Sequence, residues 1–130
     1  TRAERLAALD ASAFSPPYRL TPGDLVEALL TSGIFVVAEQ DGGYLAGYCC
    51  AAVHDQEGQV VRLAVSPAAQ GQGIGRTLLN HALVYCHTHA AARVLINTQE
   101  SNQASLRLYE GFGFRRIGPR IPLLVRAISA

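Results

Sequence analysis

The sequence predicts an α/β fold: a single domain, residues 1–130, holding one mixed, mostly antiparallel β-sheet with helices on both faces. Three observations carry this reading. Two β-branched and aromatic runs flank Asp41-Gly42-Gly43, a hairpin signal. A third run, Val60 to Val65, turns through Pro67-Ala68-Ala69-Gln70 into a helical pattern and then a further strand; such a crossover makes one strand pair parallel within an otherwise antiparallel sheet. Finally, 130 residues with 49% hydrophobic and 16% charged side chains suit one compact domain with a real core.

The elements follow in order. Glu4 to Phe14 spaces Leu6, Leu9 and Phe14 as a helix and stops at Ser15-Pro16-Pro17, which a helix crosses poorly. Thr21-Pro22-Gly23-Asp24 restarts a helix with proline in its first turn, running to about Leu30 and stopping at Thr31-Ser32-Gly33. Ile34 to Glu39 and Tyr44 to His54 are strands, and Gly47 inside the second predicts a bulge or a close approach by another group. Asp55 to Gly58 turns the chain into the strand ending at Val65.

From Ile74, the positions Leu78, Ala82 and Tyr85 or Cys86 recur at helical period to about His89. Arg93 to Thr98 is the next strand. Ser101-Asn102 precedes a helix in which Leu106 and Tyr109 share a face, ended by Gly111. The segment from Phe112 to Arg116 opens a strand, Gly118-Pro119 turns, and Ile121 to Ile128 is the last strand. Phe112 and Phe114 are expected in the core, as are Leu106 and Leu108.

Composition narrows the function classes. A formal net charge of +1 argues against a protein built to grip a nucleic-acid backbone, so no nucleic-acid partner is expected. All eleven basic residues are arginine. Cys49, Cys50 and Cys86 form neither a disulfide framework nor a zinc pattern, so buried reduced thiols, no metal and a cytoplasmic location are expected. No apolar run reaches the roughly 18 residues of a membrane span, and no membrane partner is expected. With no methionine, the chain has either lost an initiator or is part of a longer one.

The most informative stretch is Gln70-Gly71-Gln72-Gly73-Ile74-Gly75-Arg76, where strand becomes helix. The first N–H groups of a helix lack partners and carry the positive end of its dipole, and glycines let an anion come close to them. This is a phosphate cradle. A P-loop would need a lysine after its last glycine, and the chain has none. A dinucleotide fingerprint would need Gly-x-Gly-x-x-Gly and an acid about 20 residues on, and neither is present.

The stretch instead resembles the Gln/Arg-x-x-Gly-x-Gly/Ala signature with which the GNAT superfamily of N-acetyltransferases holds the pyrophosphate of acetyl-coenzyme A (acetyl-CoA). About 30 residues later, Asn102-Gln103-Ala104-Ser105-Leu106-Arg107-Leu108-Tyr109-Glu110-Gly111-Phe112-Gly113-Phe114 resembles the Asn-x-x-Ala/Ser-x-x-Leu-Tyr-x-x-x-Gly-Phe segment of the same superfamily. The resemblance covers roughly residues 34–126. The opening helices, with Ala13-Phe14-Ser15-Pro16, look like that family's usual pair, and its first strand would fall before Thr1.

The resemblance implies acetyl-CoA as co-substrate, held by Leu63, Val65, Gln70, Gly71, Gln72, Gly73, Gly75, Arg76, Asn102 and Tyr109. It implies direct attack by an amine on the thioester, with no covalent enzyme intermediate. The Val65 backbone N–H, at a splay in the strand before the cradle, is the implied oxyanion donor. Tyr109 is the implied general acid to the CoA thiolate. A phenol, ordinarily near pKa 10, is protonated at neutral pH; proton transfer to a thiolate with pKa about 8.5 is uphill by roughly 2 kcal/mol, which burial of the thiolate reduces. Asn102 serves equally as a helix cap or as a coenzyme contact.

The family's glutamate positions fall on Gln59 and Asn97, neither of which accepts a proton as a carboxylate. His54, Asp55 and Glu57 are candidate bases close by in sequence, and a water chain on Gln59 or Asn97 is an equal alternative. Without a clear base, the sequence leans toward an acceptor of low pKa. An α-amine near 7.7–8.0 is partly neutral at pH 7, whereas a lysine amine near 10.4 is not. A peptide N-terminus or a small-molecule amine is therefore the expected acceptor, with specificity around Tyr18 to Leu25 and Ile117 to Leu123. The competing reading is a non-catalytic CoA-binding sensor or interaction domain, and a longer acyl donor is a third. A monomer or homodimer is expected.

Overall fold

The structure, a computed structural model, describes residues 1–14, 16–97, 103–117 and 123–127. The elements are α1 (Arg2–Ala13), α2 (Pro22–Thr31), β1 (Ile34–Gln40), β2 (Tyr44–His54), β3 (Glu57–Val65), α3 (Ile74–Thr88), β4 (Arg93–Asn97), α4 (Gln103–Gly111), β5 (Arg115–Ile117) and β6 (Leu123–Ala127). Their order in the sheet is β1-β2-β3-β4-β6-β5. Among the described residues only β3 and β4 run parallel; the other pairs are antiparallel. This is the mixed, mostly antiparallel α/β fold that the hairpins and the single crossover predict.

Both opening helices start on a capping box, Thr1 with Glu4 and Thr21 with Asp24. Each hydroxyl accepts from an otherwise orphan amide while the acid returns to the cap's own N–H. The reciprocal cap explains why α1 begins at Arg2 rather than at Glu4: Glu4 closes the first turn instead of opening it.

Alternation along the strands divides the core into two. On one face, Leu6, Leu9 and Leu25 of α1 and α2 pack on Leu45, Tyr48 and Ala64. On the other, Leu78, Leu79, Ala82 and Cys86 of α3 and Leu106 and Tyr109 of α4 pack on Cys49, Ala51, Val60 and Leu63.

Two register shifts shape the end of the sheet that carries the site. Between Ala38 and Glu39, β1 skips Ala46 of β2, next to Gly47. A Cβ on Gly47 would lie 2.8 Å from Ala64 O and 2.9 Å from Leu78 Cδ1, so both expectations for this glycine hold: a bulge beside it and a helix pressed against it. Between Cys50 and Ala51, β2 skips Val61 of β3, which is left 47% exposed. That extra residue resets the alternation, so that Arg62 and Ala64 face α1 while Leu63 and Val65 face α3.

Gly58 is a correction to the sequence reading. The β2–β3 turn is only Asp55-Gln56, both at positive φ (51° and 64°), and pairing resumes at His54–Glu57. Gly58 lies within β3, where a Cβ would come 2.8 Å from Cys86 Sγ. It is a packing glycine, not a turn glycine.

Candidate active site

β3 pairs with β4 only from Glu57–Arg93 to Val60–Ile96, while its pairing with β2 continues to Val65–Gly47. Past Val60 the two parallel strands part, leaving a gap on one side of β3 among the described residues. Ser66 N–H donates to Ala46 O at 2.8 Å, so the Ser66 backbone faces β2. Alternation then turns the N–H groups of Leu63 and Val65 the other way, toward the gap.

A cavity of about 440 Å³ occupies this place. Leu63 and Val65, from the α3 face, and Ala64, from the α1 face, all line it. It therefore reaches both faces of the sheet through the gap. One mouth is walled by the glycine-rich turn and Leu108, the other by Ala13 and Phe14.

The turn after β3 is built as the sequence suggested. Pro67–Ala69 forms a short 3₁₀ turn, with Ala69 buried beneath it. Gly71 (φ 82°) and Gly73 (φ 79°) then take the left-handed conformation that costs other residues strain. Gly73 is the N-cap of α3 and has no side chain to cap it, so among the described residues the first-turn N–H groups receive no side-chain cap. A Cβ at Gly71 or Gly73 would meet open space. Gly75 differs: it sits in the first turn of α3, and its missing Cβ makes room for Leu108 Cδ2, which would lie 3.1 Å away.

Gln70, Gly71, Gly73, Gly75 and Arg76 line the cavity with Leu63 and Val65. The Arg76 guanidinium also lies 5.1 Å from the Phe112 ring centroid. Gln72 has another engagement, since its Oε1 accepts from Gln40 Nε2 at 2.8 Å and ties the turn to the end of β1. Ser66 Oγ and Tyr44 Oη, 2.5 Å apart, make a second tie to the same hairpin.

On α4 the cavity wall is Leu108. Tyr109, the next residue, is 3% exposed and meets Phe114 edge-on at 6.1 Å between centroids. Asn102 lies outside the described residues, as do residues 118–122 between β5 and β6.

Phe14 is held by a buried network that the sequence reading missed. Asp10 is completely buried; it accepts from Tyr48 Oη at 2.5 Å, Arg62 Nε at 2.7 Å, Arg62 Nη2 at 2.9 Å and Leu20 N at 2.8 Å. Arg62 Cζ stands 3.8 Å from the Phe14 ring centroid, and Arg62 also donates to Tyr18 O. Burial works against the Arg62 charge, but the Asp10 carboxylate outweighs it and raises the pKa. Burial first, and then the bond to Asp10, pushes the Tyr48 hydroxyl well above the usual phenol range. A signal did exist in the sequence. Asp10 and Arg62 are opposite charges, each set in an apolar pattern, Leu6-Leu9 and Val60-Val61-Leu63.

The turn acids and His54 are not brought to this site. They lie at the opposite end of β3, roughly 25 Å from Val65 at the rise of an extended strand. Glu57 pairs there with Arg93 at 2.7 Å. Gln59 sits within the paired part of β3, opposite Ala52 and Leu95. Asn97 stands one residue past the last β3–β4 pair.

The family model of the Acetyltransferase (GNAT) family matches residues 3–114. The N-alpha-acetyltransferase RimI of Mycobacterium tuberculosis is 32% identical over 122 residues, covering 91% of this chain and 75% of that protein. A mycothiol acetyltransferase of Thermomonospora curvata is 41% identical over 86 residues, covering 65% of this chain but only 28% of that longer protein. Among solved structures, a chain of the NatC complex bound to Gag peptide and CoA superposes with a TM-score of 0.82 at 20% identity, covering 98% of this chain and 92% of that one, a likeness of fold. No helix among the described residues is long and apolar enough to cross a membrane.

Proposed function

The chain belongs to the Acetyltransferase (GNAT) family, and from that premise we propose that it moves an acetyl group from acetyl-CoA directly to a primary amine, the α-amine of a peptide N-terminus being the favoured acceptor. The observation that carries this reading is the cavity through the sheet. It offers a glycine cradle on the α3 face and an apolar wall of Ala13 and Phe14 on the α1 face, so two substrates can meet at the gap between β3 and β4.

The cradle fits the pyrophosphate of the donor. Gly71 and Gly73 open onto free space, the first turn of α3 offers N–H groups, and Arg76 adds a positive charge. Three or four charge-assisted hydrogen bonds at about 1.5–3 kcal/mol each amount to roughly 5–12 kcal/mol before ordering costs, against about 8 for micromolar affinity. In this reading Gln70 and Leu63 flank the donor, and Gln72 acts through its tie to Gln40 rather than by a direct contact.

The amine attacks the thioester carbon. The Val65 N–H, facing the gap, stabilises the carbonyl oxygen as charge builds on it. As the C–S bond breaks, the leaving thiolate takes a proton from Tyr109, whose neighbour Leu108 walls the cavity; the nitrogen that has formed the new C–N bond gives up its extra proton to water, and Tyr109 is reprotonated from solvent. With the turn acids at the far end of β3, the acceptor supplies its own neutral fraction, which suits an α-amine. The name of the M. tuberculosis relative points the same way.

Calorimetric titration of acetyl-CoA, with NAD and ATP as controls, tests the cradle, and thiol release with an alanine-initiated peptide tests the transfer. Micromolar binding of acetyl-CoA alone, followed by peptide acetylation, is expected. Absence of acetyl-CoA binding would remove the reading, and faster turnover of lysine side chains than of N-termini would remove its acceptor half.

A further inference from the structure

We propose that the Asp10–Arg62 pair is a positioning device for the acceptor, acting through Phe14. The inference rests on the reading that Ala13 and Phe14 wall the acceptor's side of the cavity.

Arg62 touches both Asp10 and Phe14. Its guanidinium binds the Asp10 carboxylate through Nε and Nη2 at 2.7 and 2.9 Å, and stands over the Phe14 ring at 3.8 Å. A planar guanidinium gripped on its edge presents a flat face in one orientation, and the ring lies on that face. The same Arg62 donates to Tyr18 O, and the same Asp10 accepts from Leu20 N at 2.8 Å. Arg19 Nε adds a bond to Phe14 O at 3.0 Å. The connection between α1 and α2 is therefore tied to β3 at Phe14, Tyr18 and Leu20 through a single ion pair.

Position along β3 matters as much as chemistry. Arg62 lies between the bulge at Val61 and the gap-facing residues Leu63 and Val65. It is on the α1 face because the bulge reset the alternation. A shift of this side chain is thus a shift of the acceptor wall relative to the strand that carries the oxyanion donor.

A purely structural ion pair makes a different prediction, and Tyr48 separates the two. Its hydroxyl binds the same Asp10 from inside the core, 2.5 Å from Oδ1, and its removal takes away neither the Arg62 fork nor the Leu20 bond on that carboxylate. Arg62→Lys keeps the charge but loses the fork and the stacking face. It should raise the KM of a hexapeptide beginning with alanine about tenfold and leave the acetyl-CoA KM within about twofold. It should also speed amide exchange at Leu20 by about tenfold or more. Tyr48→Phe should lower Tm but leave peptide KM and Leu20 exchange within about twofold. Phe14→Leu should raise peptide KM like Arg62→Lys, and combining the two should add nothing further.

Equal effects of Arg62→Lys and Tyr48→Phe on peptide KM would overturn the proposal, as would a parallel rise in both KM values or additivity in the double variant. Should Arg62→Lys fail to fold, an unchanged peptide KM in Phe14→Leu overturns it and a raised one upholds it. Should the wild-type protein acetylate neither the peptide nor a panel of small amines, the proposed reaction fails, and amide exchange still decides the positioning claim: faster exchange at Leu20 in Arg62→Lys or Phe14→Leu but not in Tyr48→Phe upholds it, and equal exchange overturns it.

Discussion

Gly75 on α3 and Leu108 on α4 meet so closely that a Cβ on Gly75 would lie 3.1 Å from Leu108 Cδ2. Gly71 and Gly73 are required for a different reason, their positive φ. Three glycines in one motif thus answer to two constraints, conformation for the first two and contact for the third.

Gly73→Ala is expected to weaken acetyl-CoA binding about tenfold, since left-handed alanine costs roughly 1–2 kcal/mol and distorts the start of α3. Gly75→Ala should fold normally, because Leu108 is only half-buried at the cavity edge and can turn aside; its affinity loss should be smaller, about two- to threefold. Calorimetric titration of both variants checks the order, and a larger loss at Gly75 than at Gly73 would contradict it.

Tyr109→Phe keeps the ring that packs against Phe114 and removes only the hydroxyl. Turnover should fall by about a hundredfold or more while acetyl-CoA affinity stays within about twofold. Steady-state kinetics with calorimetry on the same variant separate the two. Unchanged turnover would show that another group protonates the thiolate.

The acceptor's own titration should govern the pH profile. With an α-amine peptide, kcat/KM should rise with pH and level off near 8, following the neutral fraction of an amine with pKa about 7.7–8.0. A profile measured with alanine-initiated and N-terminally blocked, lysine-containing peptides checks this. A plateau set well below pH 7 would indicate a base that the described residues do not identify.

The three cysteines are free and buried. Burial is the first cause of the raised pKa of each thiol, with Cys50 and Cys86 adding to it at Cys49. A native-state thiol reagent should therefore react slowly and the denatured chain should show three thiols. Raised folded-state values mean that the unfolded chain ionises first. The stability they contribute is complete below the unfolded thiol range and declines as pH rises above about 9, by up to about 1.4 kcal/mol per unit for each thiol. Denaturant midpoints at pH 7, 9 and 10 measure the decline; a midpoint that rises with pH would contradict it.

Much of the fold was legible because its signals are local. Asp41-Gly42-Gly43 between β-branched runs makes a hairpin through backbone conformation alone, and Leu78, Ala82 and Cys86 mark the buried face of α3 through helical period alone. Gly58 was misread because a glycine near Asp55 satisfies a turn rule, while the contact that requires it, Cys86 Sγ, comes from a helix much later in the chain. Leu108 does pack against the core as expected, and its second role, walling the cavity beside Gly75, was hidden because neither is adjacent to it in sequence.

Neighbouring residues alone set the glycine-rich turn: the backbone conformation at Gly71 and Gly73 and the helix start at Ile74 follow from the order of letters. Where that turn opens, and what stands across from it, depends on contacts between segments far apart in the chain. Among the described residues, pairing of β3 with β4 ends at Val60, the bulge at Val61 decides that Leu63 faces α3 and Ala64 faces α1, and a partly buried pair 52 residues apart in sequence, Asp10 and Arg62, brings Phe14 to the far wall. Side-chain alternation and long-range ion pairs depend on register, and register is set by the packing of the whole sheet rather than by any one of its strands.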